Sequence, residues 1–245
     1  MTNEPTAIRV VIDGREVARD DVLAWEAKRL PKAAAKIGLP IPTGDLAQQR
    51  LAFADSKLTL SPEEIRRRLS RDIRLSSMGS RTMARLSGGR RATSVCELHV
   101  TGGSAAEFVR WFDDTAREDY TRSMVAANPD HFLIQTDADG RQEVIETTGG
   151  NPLTNRFLID YEDTSSLTTP RKPDFTVETA GVAFIESGPV IGGVRHEFRD
   201  EPGGFHAHLC VEFPRTLPSR LLAQHCWHLA CEFSNWVAFA FDGLS

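Results

Sequence analysis

The sequence predicts an α+β protein in which a curved antiparallel sheet wraps around one long C-terminal helix. Short alternating segments typical of strands follow one another through the second half of the chain, and a mainly apolar stretch from residue 219 to about residue 241 predicts the helix. Sequential strands and a long apolar helix bury their apolar faces against each other and leave a cavity between them. With 245 residues, 40% of them hydrophobic, the chain can supply such a core.

Charge and hydropathy argue against two classes of partner. The formal net charge of -5 argues against general binding of nucleic acid or of an anionic membrane, because both need an excess of Lys and Arg. No apolar run approaches the roughly 20 residues that cross a bilayer, and MTNEPTAIRV has no basic and then apolar leader. We therefore expect a cytoplasmic protein, whose four cysteines form no CxxC pair and are reduced and buried.

The composition divides the chain near residue 92. Residues 1–92 are rich in Ala and Arg and predict a mainly helical N-terminal extension, whereas residues 93–245 carry most of the strands and the closing helix. The boundary follows from SSMGSRTMARLSGGRR, residues 76–91, because a run of Ser, Gly and Arg is typical of a linker.

Three elements open the extension. IRVVIDGREV predicts two short strands joined by a turn at Asp13 and Gly14. Residues 20–38 predict a helix that breaks near Pro31, because proline removes a backbone donor from a helix interior. Residues 44–56 predict a second, short helix.

A further helix is marked by SPEEIRRRLSRDIR, with Ser61 as the N-cap, Pro62 in the first turn and Glu64 at the capping-box position. Nine arginines lie between Arg66 and Arg91. Two interpretations are open. The arginines could form a docking face, whose partner would be acidic or would carry phosphate, or they could form a solvated helix face with interleaved acidic residues.

The second part of the chain carries clearer signals. VCELHV predicts a strand, and a helix with Ser104 as the N-cap and Glu107 at the capping-box position then runs to about Ala127. FLIQT and RQEVIET flank DADG and predict a hairpin. Further strands are predicted in RFLIDYE, VAFIES, VRHEFR and HAHLCVEF.

The closing helix carries ionisable residues on an apolar surface. His228 and Glu232 are four residues apart, so they lie one turn apart on one stripe of the helix. A buried carboxylate needs a partner, because desolvation without one is very unfavourable. A metal ion and a direct hydrogen bond from the histidine are both adequate partners, and the helix alone leaves this choice open.

The hairpin supplies a second pair of the same kind. If DADG forms a four-residue loop, counting outward places Gln135 opposite Gln142 and His131 opposite Glu146, with Ile134 on the other face. Directly opposed residues have Cβ atoms about 5 Å apart. Two imidazoles and two carboxylates from two elements favour a zinc site. Four protein ligands are typical of a structural zinc, whereas a five-coordinate arrangement with water would make the site catalytic.

Four motifs resemble, in the same order, those of the 2,4-diacetylphloroglucinol hydrolase and phloretin hydrolase family. They are VTGGSAAEFVRWF, ANPDHF, VIETTGG and HLACEFSNW, and the resemblance covers roughly residues 93–242. It implies a helix-grip fold of the START and Bet v 1-like type, and hydrolysis of the carbon–carbon bond between an acyl group and a phloroglucinol-like phenolic ring. It also implies that Tyr120 holds the substrate. The ligands of Zn²⁺ would be His131, Glu146, His228 and Glu232.

Further site residues are predicted around this centre. Tyr120 and His225 are predicted to be catalytic, through hydrogen bonds to a developing oxyanion or to ring hydroxyls. For His225, a third ligand position on the helix, an orienting contact to a ligand and an ordinary core position stay open. The predicted substrate-binding side chains are Gln135, Gln142, His206 and His208.

Three functions are compatible with these observations. The first is a zinc-dependent hydrolase that acts on a small-molecule phenolic ketone, with no nucleic-acid or membrane partner. The second is a metal-free helix-grip protein that binds or cyclises an aromatic polyketide or another hydrophobic ligand. The third is an interaction protein that uses the arginine-rich region. A homodimer is compatible with the sequence, and the first function is preferred because the spacing of the residues and the resemblance agree on it.

Overall fold

The computed structural model describes residues 6–244, which form an α+β structure around one open antiparallel sheet. Its strands are β1 (Ile8–Ile12), β2 (Arg15–Val17), β3 (Arg91–Thr101), β4 (His131–Thr136), β5 (Gln142–Glu146), β6 (Asn155–Asp160), β7 (Val177–Phe184), β8 (Val190–Glu201) and β9 (Gly204–Pro214). Within the described range they lie in the order β2-β1-β3-β9-β8-β7-β6-β5-β4. Each neighbouring pair is antiparallel, so β2 and β4 form the two edges.

Helices cover both faces of this sheet. They are α1 (Arg19–Ile37), α2 (Leu46–Leu58), α3 (Pro62–Arg68), α4 (Ser70–Ser87), α5 (Ala105–Asp113), α6 (Tyr120–Ala126) and α7 (Ser219–Asp242). α7 packs along β1 and β3 and contacts α1, α5 and the short turn Thr148–Gly150. The predicted α+β class, with an antiparallel sheet and a closing helix, is therefore confirmed. Within residues 6–244, no helix is both long enough and apolar enough to cross a membrane.

Two predicted signals at the start of elements are confirmed. Asp13 (φ 51°) and Gly14 (φ 71°) both take the left-handed conformation, which suits the tight turn that joins β1 to β2. Ser61 accepts a hydrogen bond from the backbone N–H of Glu64 and so caps α3. The capping box is not closed, because two arginines of the same helix bind the Glu64 carboxylate.

The helix that was expected to break near Pro31 is continuous. α1 runs through this proline, and Leu30, Ala33 and Ile37 are buried against Phe53 in one apolar core. This packing offsets the lost backbone hydrogen bond, which costs about 3 kcal/mol in a helix interior.

The predicted linker is helical in the structure. Residues 76–87 belong to α4, which ends where Gly88 takes the left-handed conformation at φ 56°. Ser76 is buried on this helix, and its hydroxyl donates to the carbonyl oxygen of Thr154 at 2.8 Å. The prediction of a flexible linker is therefore wrong for Ser76, which instead holds α4 against the loop before β6.

The predicted boundary at residue 92 falls inside a strand. β3 begins at Arg91 and pairs with β1 on one side and with β9 on the other. One apolar core joins Val10 of the first part to Leu98 and Phe205 of the second. The two parts thus share one sheet and one core, and the division into an N-terminal extension and a domain of residues 93–245 stays a prediction.

The helix predicted to follow Ser104 is divided into α5 and α6 by residues 114–119. Arg117 stabilises the bend, because its guanidinium lies 3.8 Å from the centroid of the Trp111 ring and its Nε donates to the Trp111 carbonyl oxygen. The bend places Tyr120 at the start of α6.

Two apolar layers hold the sheet. The inner face packs against α5 and α7, and this inner core includes Leu98, Phe108, Phe205, Leu229 and Phe233. The outer face of β4 and β5 packs against α1, α2 and α3, and this outer core includes Leu30, Phe53, Ile65, Phe132 and Ile145. The four cysteines are free and buried, as predicted.

Candidate metal centre

The β4–β5 hairpin places His131 opposite Glu146, as predicted. Its loop has three residues rather than four, because Asp137 donates a backbone hydrogen bond of 2.7 Å to Arg141. Gly140 takes the left-handed conformation that closes such a loop. The register next to the loop is therefore shifted by one residue from the prediction.

A bulge in β4 restores the predicted register at the open end of the hairpin, away from the loop. β4 gains one residue after His131, so that Ile134 pairs with Val144 and faces the inside of the protein. Gln135 consequently lies on the outer face, where its amide donates to the Glu143 carboxylate at 2.8 Å. Its predicted place beside the substrate is therefore corrected.

α7 places the second predicted pair beside the first. The Nε2 atoms of His131 and His228 are 3.2 Å apart. The Glu232 Oε2 atom lies 2.9 Å from the first of these nitrogens and 3.4 Å from the second. The Glu146 Oε2 atom lies 3.7 Å and 3.6 Å from them. All four side chains are buried, so the structure brings together the four ligands that the sequence predicts.

These spacings fit a bound metal ion. With bonds of about 2.0–2.1 Å, the ligand atoms of a tetrahedral zinc lie about 3.3 Å apart. The five separations that involve a histidine nitrogen, 2.9 to 3.7 Å, lie on both sides of this value. Glu232 lies outside the group of His131, Glu146 and His228, whose ligand atoms are all within 4.8 Å of one another. Two imidazoles and two carboxylates form a donor set that suits zinc and its neighbours among the divalent ions. His131, Glu146 and His228 could therefore hold one metal ion, with Glu232 beside both histidine nitrogens.

Hydrogen bonds orient the two imidazole rings. The Nδ1 of His131 donates to a carbonyl oxygen of α6 at 2.9 Å, which leaves the lone pair on Nε2 free for a ligand bond. The Nδ1 of His228 lies 3.4 Å from the backbone N–H of Gly149. This long contact favours a proton on Nε2 of His228 when no ion is bound.

Two basic side chains join the start of the hairpin to the N-terminal helices. Lys57 of α2 donates to the carbonyl oxygen of His131 at 2.6 Å, and burial lowers the pKa of this lysine to about 7. Asp130, which has no exposed surface, accepts hydrogen bonds of 2.7 and 2.8 Å from Arg29 of α1. The position of His131 therefore depends on helices that precede residue 92.

The charges of the cluster stabilise one another. Burial alone lowers the pKa of His228, but Glu146 and Glu232 raise that pKa well above its usual value. Burial raises the pKa of each carboxyl, but the histidines outweigh burial and leave both pKa values below the usual range. Both carboxylates are thus ionised near neutral pH, which is the form that binds a metal ion.

The cluster lines an apolar cavity between α7 and the inner face of the sheet. The cavity volume of about 150 Å³ is roughly ten times the space that one water molecule needs, so the cavity can accept a small organic molecule. Ser80 and Met83 of α4 also line it, so the N-terminal third contributes to its wall. Its apolar lining includes Phe112, Met124, Ile134, Val144, Phe157, Val194, Phe233 and Trp236.

One polar part of the wall is a short hydrogen-bonded chain. Gln142 lines the cavity, donates to the Tyr120 hydroxyl at 3.1 Å and accepts from the Tyr161 hydroxyl at 3.1 Å. Burial raises the pKa of both tyrosines, so both hydroxyls stay protonated. Sequence reasoning missed Tyr161, although it alternates with Phe157 and Ile159 on the same face.

His225 lies beside the metal cluster. Its ring stacks on the ring of His228, with centroids 5.4 Å apart and planes inclined by 9°. Its Nδ1 forms a hydrogen bond of 2.6 Å with the Ser94 hydroxyl. Burial lowers the pKa of His225 to about 3, so this ring is neutral. These contacts suit the orienting role, one of the three positions that the sequence leaves open.

The structure places His206 and His208 away from the cavity. Both lie on the outer face of β9, where Phe175 packs edge-on against the two rings. Ala207 and Leu209 alternate with them and face the inner core. Their predicted place beside the substrate is therefore corrected, because the alternation of the strand gives the inner face to the apolar residues.

Two further cavity residues were not predicted as site residues. His196 lines the cavity, and its ring lies 4.7 Å from the ring of Phe233. Trp236 lines it too, and its indole N–H has no hydrogen-bond partner among residues 6–244. Trp236 continues the stripe of His228 and Glu232 in steps of four, which is the sequence signal that indicates it.

Gly149 is expected to tolerate no side chain. A Cβ there would lie 2.5 Å from the backbone nitrogen of His225 and 2.8 Å from the carbonyl carbon of Gln224, both of which are backbone atoms of α7. Gly149→Ala should push the turn away from α7 and lower zinc affinity at least about tenfold, because the contact to His228 is lost. Competition with a chromophoric zinc chelator measures this affinity.

Gly140→Ala is the matched control for this substitution. Gly140 also has a positive φ, of 81°, but nothing lies within 4 Å of its added Cβ. Its zinc affinity should equal that of the unchanged protein. Equal losses in the two variants would mean that backbone strain, rather than the contact with α7, explains the effect.

The site thus combines a cluster that could hold a metal ion, an apolar cavity and a few convergent polar groups. Such a combination suits a small, largely apolar ligand whose orientation is set by a small number of hydrogen bonds. No protein-family model matches the chain, and no curated protein matches it.

Proposed function

We propose that this protein is a zinc-dependent hydrolase of helix-grip fold, which cleaves the carbon–carbon bond between an acyl group and a phloroglucinol-like ring. One observation carries the proposal. His131, Glu146 and His228 offer ligand atoms within 4.8 Å of one another in the wall of an apolar cavity, and Glu232 lies 2.9 and 3.4 Å from the two histidine nitrogens. The resemblance in sequence suggests the class of reaction.

In this proposal the four ligands hold zinc, which supplies a Lewis acid that polarises the acyl carbonyl and lowers the pKa of water. The apolar wall holds the aromatic ring and keeps bulk water out. Gln142 keeps one amide hydrogen for a ring oxygen, since Tyr120 takes the other. Tyr161 fixes the amide in this orientation.

The overall reaction consumes one water molecule. Water supplies a hydroxyl to the acyl carbon, and the bond between this carbon and the ring breaks. The ring carbon takes up the proton, which a polyhydroxylated ring allows through its keto tautomer. The products are a carboxylic acid and the free phenol, in equal amounts.

Metal removal tests the proposal on the full chain. The protein is stripped with a chelator, one part is reloaded with one equivalent of Zn²⁺, and both forms receive 2,4-diacetylphloroglucinol or phloretin. Liquid chromatography measures the acid and the phenol. We expect the reloaded form to release both products and the stripped form to release neither. Equal rates in the two forms, or no turnover in either, would contradict the proposal.

A metal-free binding protein for an aromatic polyketide is the second candidate. The contact between the Gly149 N–H and Nδ1 of His228 favours it, because this contact suits a neutral ring whose Nε2 proton, rather than a metal ion, faces Glu146 and Glu232. Calorimetry with phloretin separates the two candidates. Equal affinity with and without Zn²⁺, in the absence of turnover, would support the second.

The arginine-rich region favours a role within the chain over a docking face. Arg66 binds the buried Glu143 carboxylate at 2.5 Å, and the next two arginines bind Glu64. Arg91 lies 3.6 Å from Glu212. Internal carboxylates therefore already neutralise several of these positive charges.

Gln142→Leu is expected to lower kcat/KM for an acylphenol about tenfold or more. Leucine is close to glutamine in size, but it leaves the hydroxyls of Tyr120 and Tyr161 without their shared partner, a loss of about 1–3 kcal/mol. Steady-state kinetics with 2,4-diacetylphloroglucinol measure the effect. Gln135→Leu is the matched control, because Gln135 lies on the outer face of the same hairpin and should leave kcat/KM unchanged. Equal losses would point to hairpin stability rather than to the cavity contact.

A further inference from the structure

A second group of histidines and carboxylates lies on the outer face of the sheet, opposite the cavity. β3 and β9 pair His99 directly with His206, and Glu97 lies two residues along β3 on the same face. One ligand atom each from Glu97, His99 and His206 lie within 4.8 Å of one another. We refer to these three residues as the outer-face cluster.

His206 is buried without a partner for its polar atoms. The residue is 7% exposed, and neither ring nitrogen has a hydrogen-bond partner among the residues that the structure describes. Its Nε2 atom lies 3.8 Å from the Glu97 Oε2 atom, beyond hydrogen-bond distance. Buried polar atoms are almost always paired, because desolvation without a partner is unfavourable. The unpaired nitrogens therefore point to a ligand between His206 and Glu97.

A carboxylate already holds His99 in the orientation that suits a ligand. The Nδ1 of His99 lies 3.0 Å from the Glu201 Oε1 atom, so this nitrogen carries the proton and Nε2 keeps its lone pair. Histidine ligands of metal ions commonly donate their other N–H to a carboxylate in this way. Glu201 is thus placed to act as a positioning residue.

The cluster can contract around an ion. The 3.8 Å between His206 Nε2 and Glu97 Oε2 exceeds the roughly 3.3 Å between ligand atoms of a tetrahedral zinc. The rings of His99 and His206 are stacked with centroids 4.2 Å apart and planes inclined by 16°, so one ring must turn for both lone pairs to reach the same ion. The Glu97 side chain is 36% exposed, which leaves it free to adjust. His99 and Glu201 also line a surface cleft, which offers a path for the ion.

Nearby positive charge does not prevent binding. Arg9 is paired with His99 across the sheet, but its guanidinium lies 3.6 Å from Glu16, which neutralises it. Arg199 is paired with His206, but its guanidinium lies over the ring of Phe175 at 5.0 Å. The carboxylates of the cluster and of its positioning residue remain to balance a divalent cation.

We propose that Glu97, His99 and His206 form a second site, which binds a divalent transition-metal ion of the zinc type. Two imidazoles and one carboxylate suit such ions, and the remaining coordination positions are left to water. The bound ion would join β3 to β9 on the face opposite the cavity. The site is separate from the proposed hydrolase centre and does not depend on it.

Metal stoichiometry of the full chain tests this proposal. The stripped protein is dialysed against Zn²⁺, bound zinc is measured by plasma mass spectrometry, and Co²⁺ absorption spectra report the ligand environment. We expect two ions per chain in the unchanged protein and one in Glu97→Gln and in His206→Ala. Glu201→Gln should weaken the second ion about 10- to 100-fold. Glu97→Gln keeps the size of a partly exposed side chain and so guards against misfolding.

His208→Ala is the matched control, because His208 lies next along the same face of β9 with its Nδ1 3.7 Å from Glu197. It should keep both ions. His228→Ala should keep the outer ion, and loss of that ion only on Glu97→Gln would support the outer site even if the central site fails. The same stoichiometry and Co²⁺ spectrum in Glu97→Gln, His206→Ala and the unchanged protein would overturn the proposal.

Discussion

Replacement of His228 by alanine is expected to abolish zinc binding at the proposed central site and, with it, the proposed hydrolysis of the acylphenol. The ring supplies Nε2, which lies 3.4 Å and 3.6 Å from the two carboxylates of the cluster. Loss of a group that only orients a ligand costs about 10- to 100-fold in metal affinity, and loss of a ligand should cost more. Zinc competition and product release measure the two effects on the same sample.

The alanine variant leaves two buried carboxylates with one histidine and could misfold for that reason. A second variant is therefore needed to separate loss of metal binding from loss of folding. Glu232→Gln keeps the shape of the side chain and removes one negative charge, and we expect it to fold and to lose zinc affinity by more than 100-fold. Gln224→Ala is the control one turn before His228 on α7, and it should keep both zinc and activity. Full zinc binding in His228→Ala and in Glu232→Gln would exclude the proposed ligand set.

Replacement of Arg29 by alanine is expected to lower the free energy of unfolding by about 3–5 kcal/mol, because it leaves the buried Asp130 carboxylate without its cation. The side chain of Asp130 has no exposed surface, and Thr147 is its remaining side-chain partner among residues 6–244. Urea unfolding of the metal-free protein, followed by circular dichroism, measures the change. Zinc affinity should fall as well, since Asp130 adjoins the ligand His131.

An exposed pair of the same chemistry provides the control. Arg122 binds Asp55 with the same fork geometry, but their side chains are 35% and 52% exposed. Arg122→Ala should therefore cost less than about 1 kcal/mol. If the loss at the buried pair comes from the unpaired carboxylate, then adding Asp130→Asn to the Arg29→Ala variant should restore part of the lost stability. A loss of similar size at both pairs would show that burial is not the deciding factor.

The meeting of His131 with Glu146 was predictable from the sequence even though part of the reasoning was wrong. Sequence counting assumed a loop of four residues, whereas the loop has three, and it assumed an unbroken β4, whereas a bulge follows His131. The two differences cancel at the pair His131 and Glu146 but not at Gln135. Bulges leave little trace in sequence, because their cause is the packing of both faces of the strand.

The alternation of β9 already carried the information that was needed for its histidines. In HAHLCVEF, His206 and His208 alternate with Ala207 and Leu209, and the apolar set faces the cavity side. The sequence-based prediction assigned the two histidines to the site because histidine is a common functional residue, although the strand alternation places them on the opposite face. Sequence reasoning works best where residue chemistry and strand period are weighed together.

Composition failed where tertiary packing decides the structure. Pro31 lies inside α1 because its neighbours Leu30, Ala33 and Ile37 are buried against other elements. The serine-rich segment around Ser76 is helical, and Ser76 itself is buried against Thr154. Local propensity is a weak guide in such places, since packing against a core outweighs a cost of a few kcal/mol. For the same reason, nothing in the sequence placed the helix of residues 70–87 beside the cavity.

That helix has a consequence for selectivity. Ser80 and Met83 face the cavity from α4, whereas the metal cluster is held by α7 and the hairpin. The residues that carry out the reaction would then lie on α7 and the hairpin, whereas the residues that limit the shape of the acyl group would lie on α4, far away along the polypeptide. A lineage could widen or narrow its range of substrates by changing two side chains of one helix, with its reaction machinery left intact.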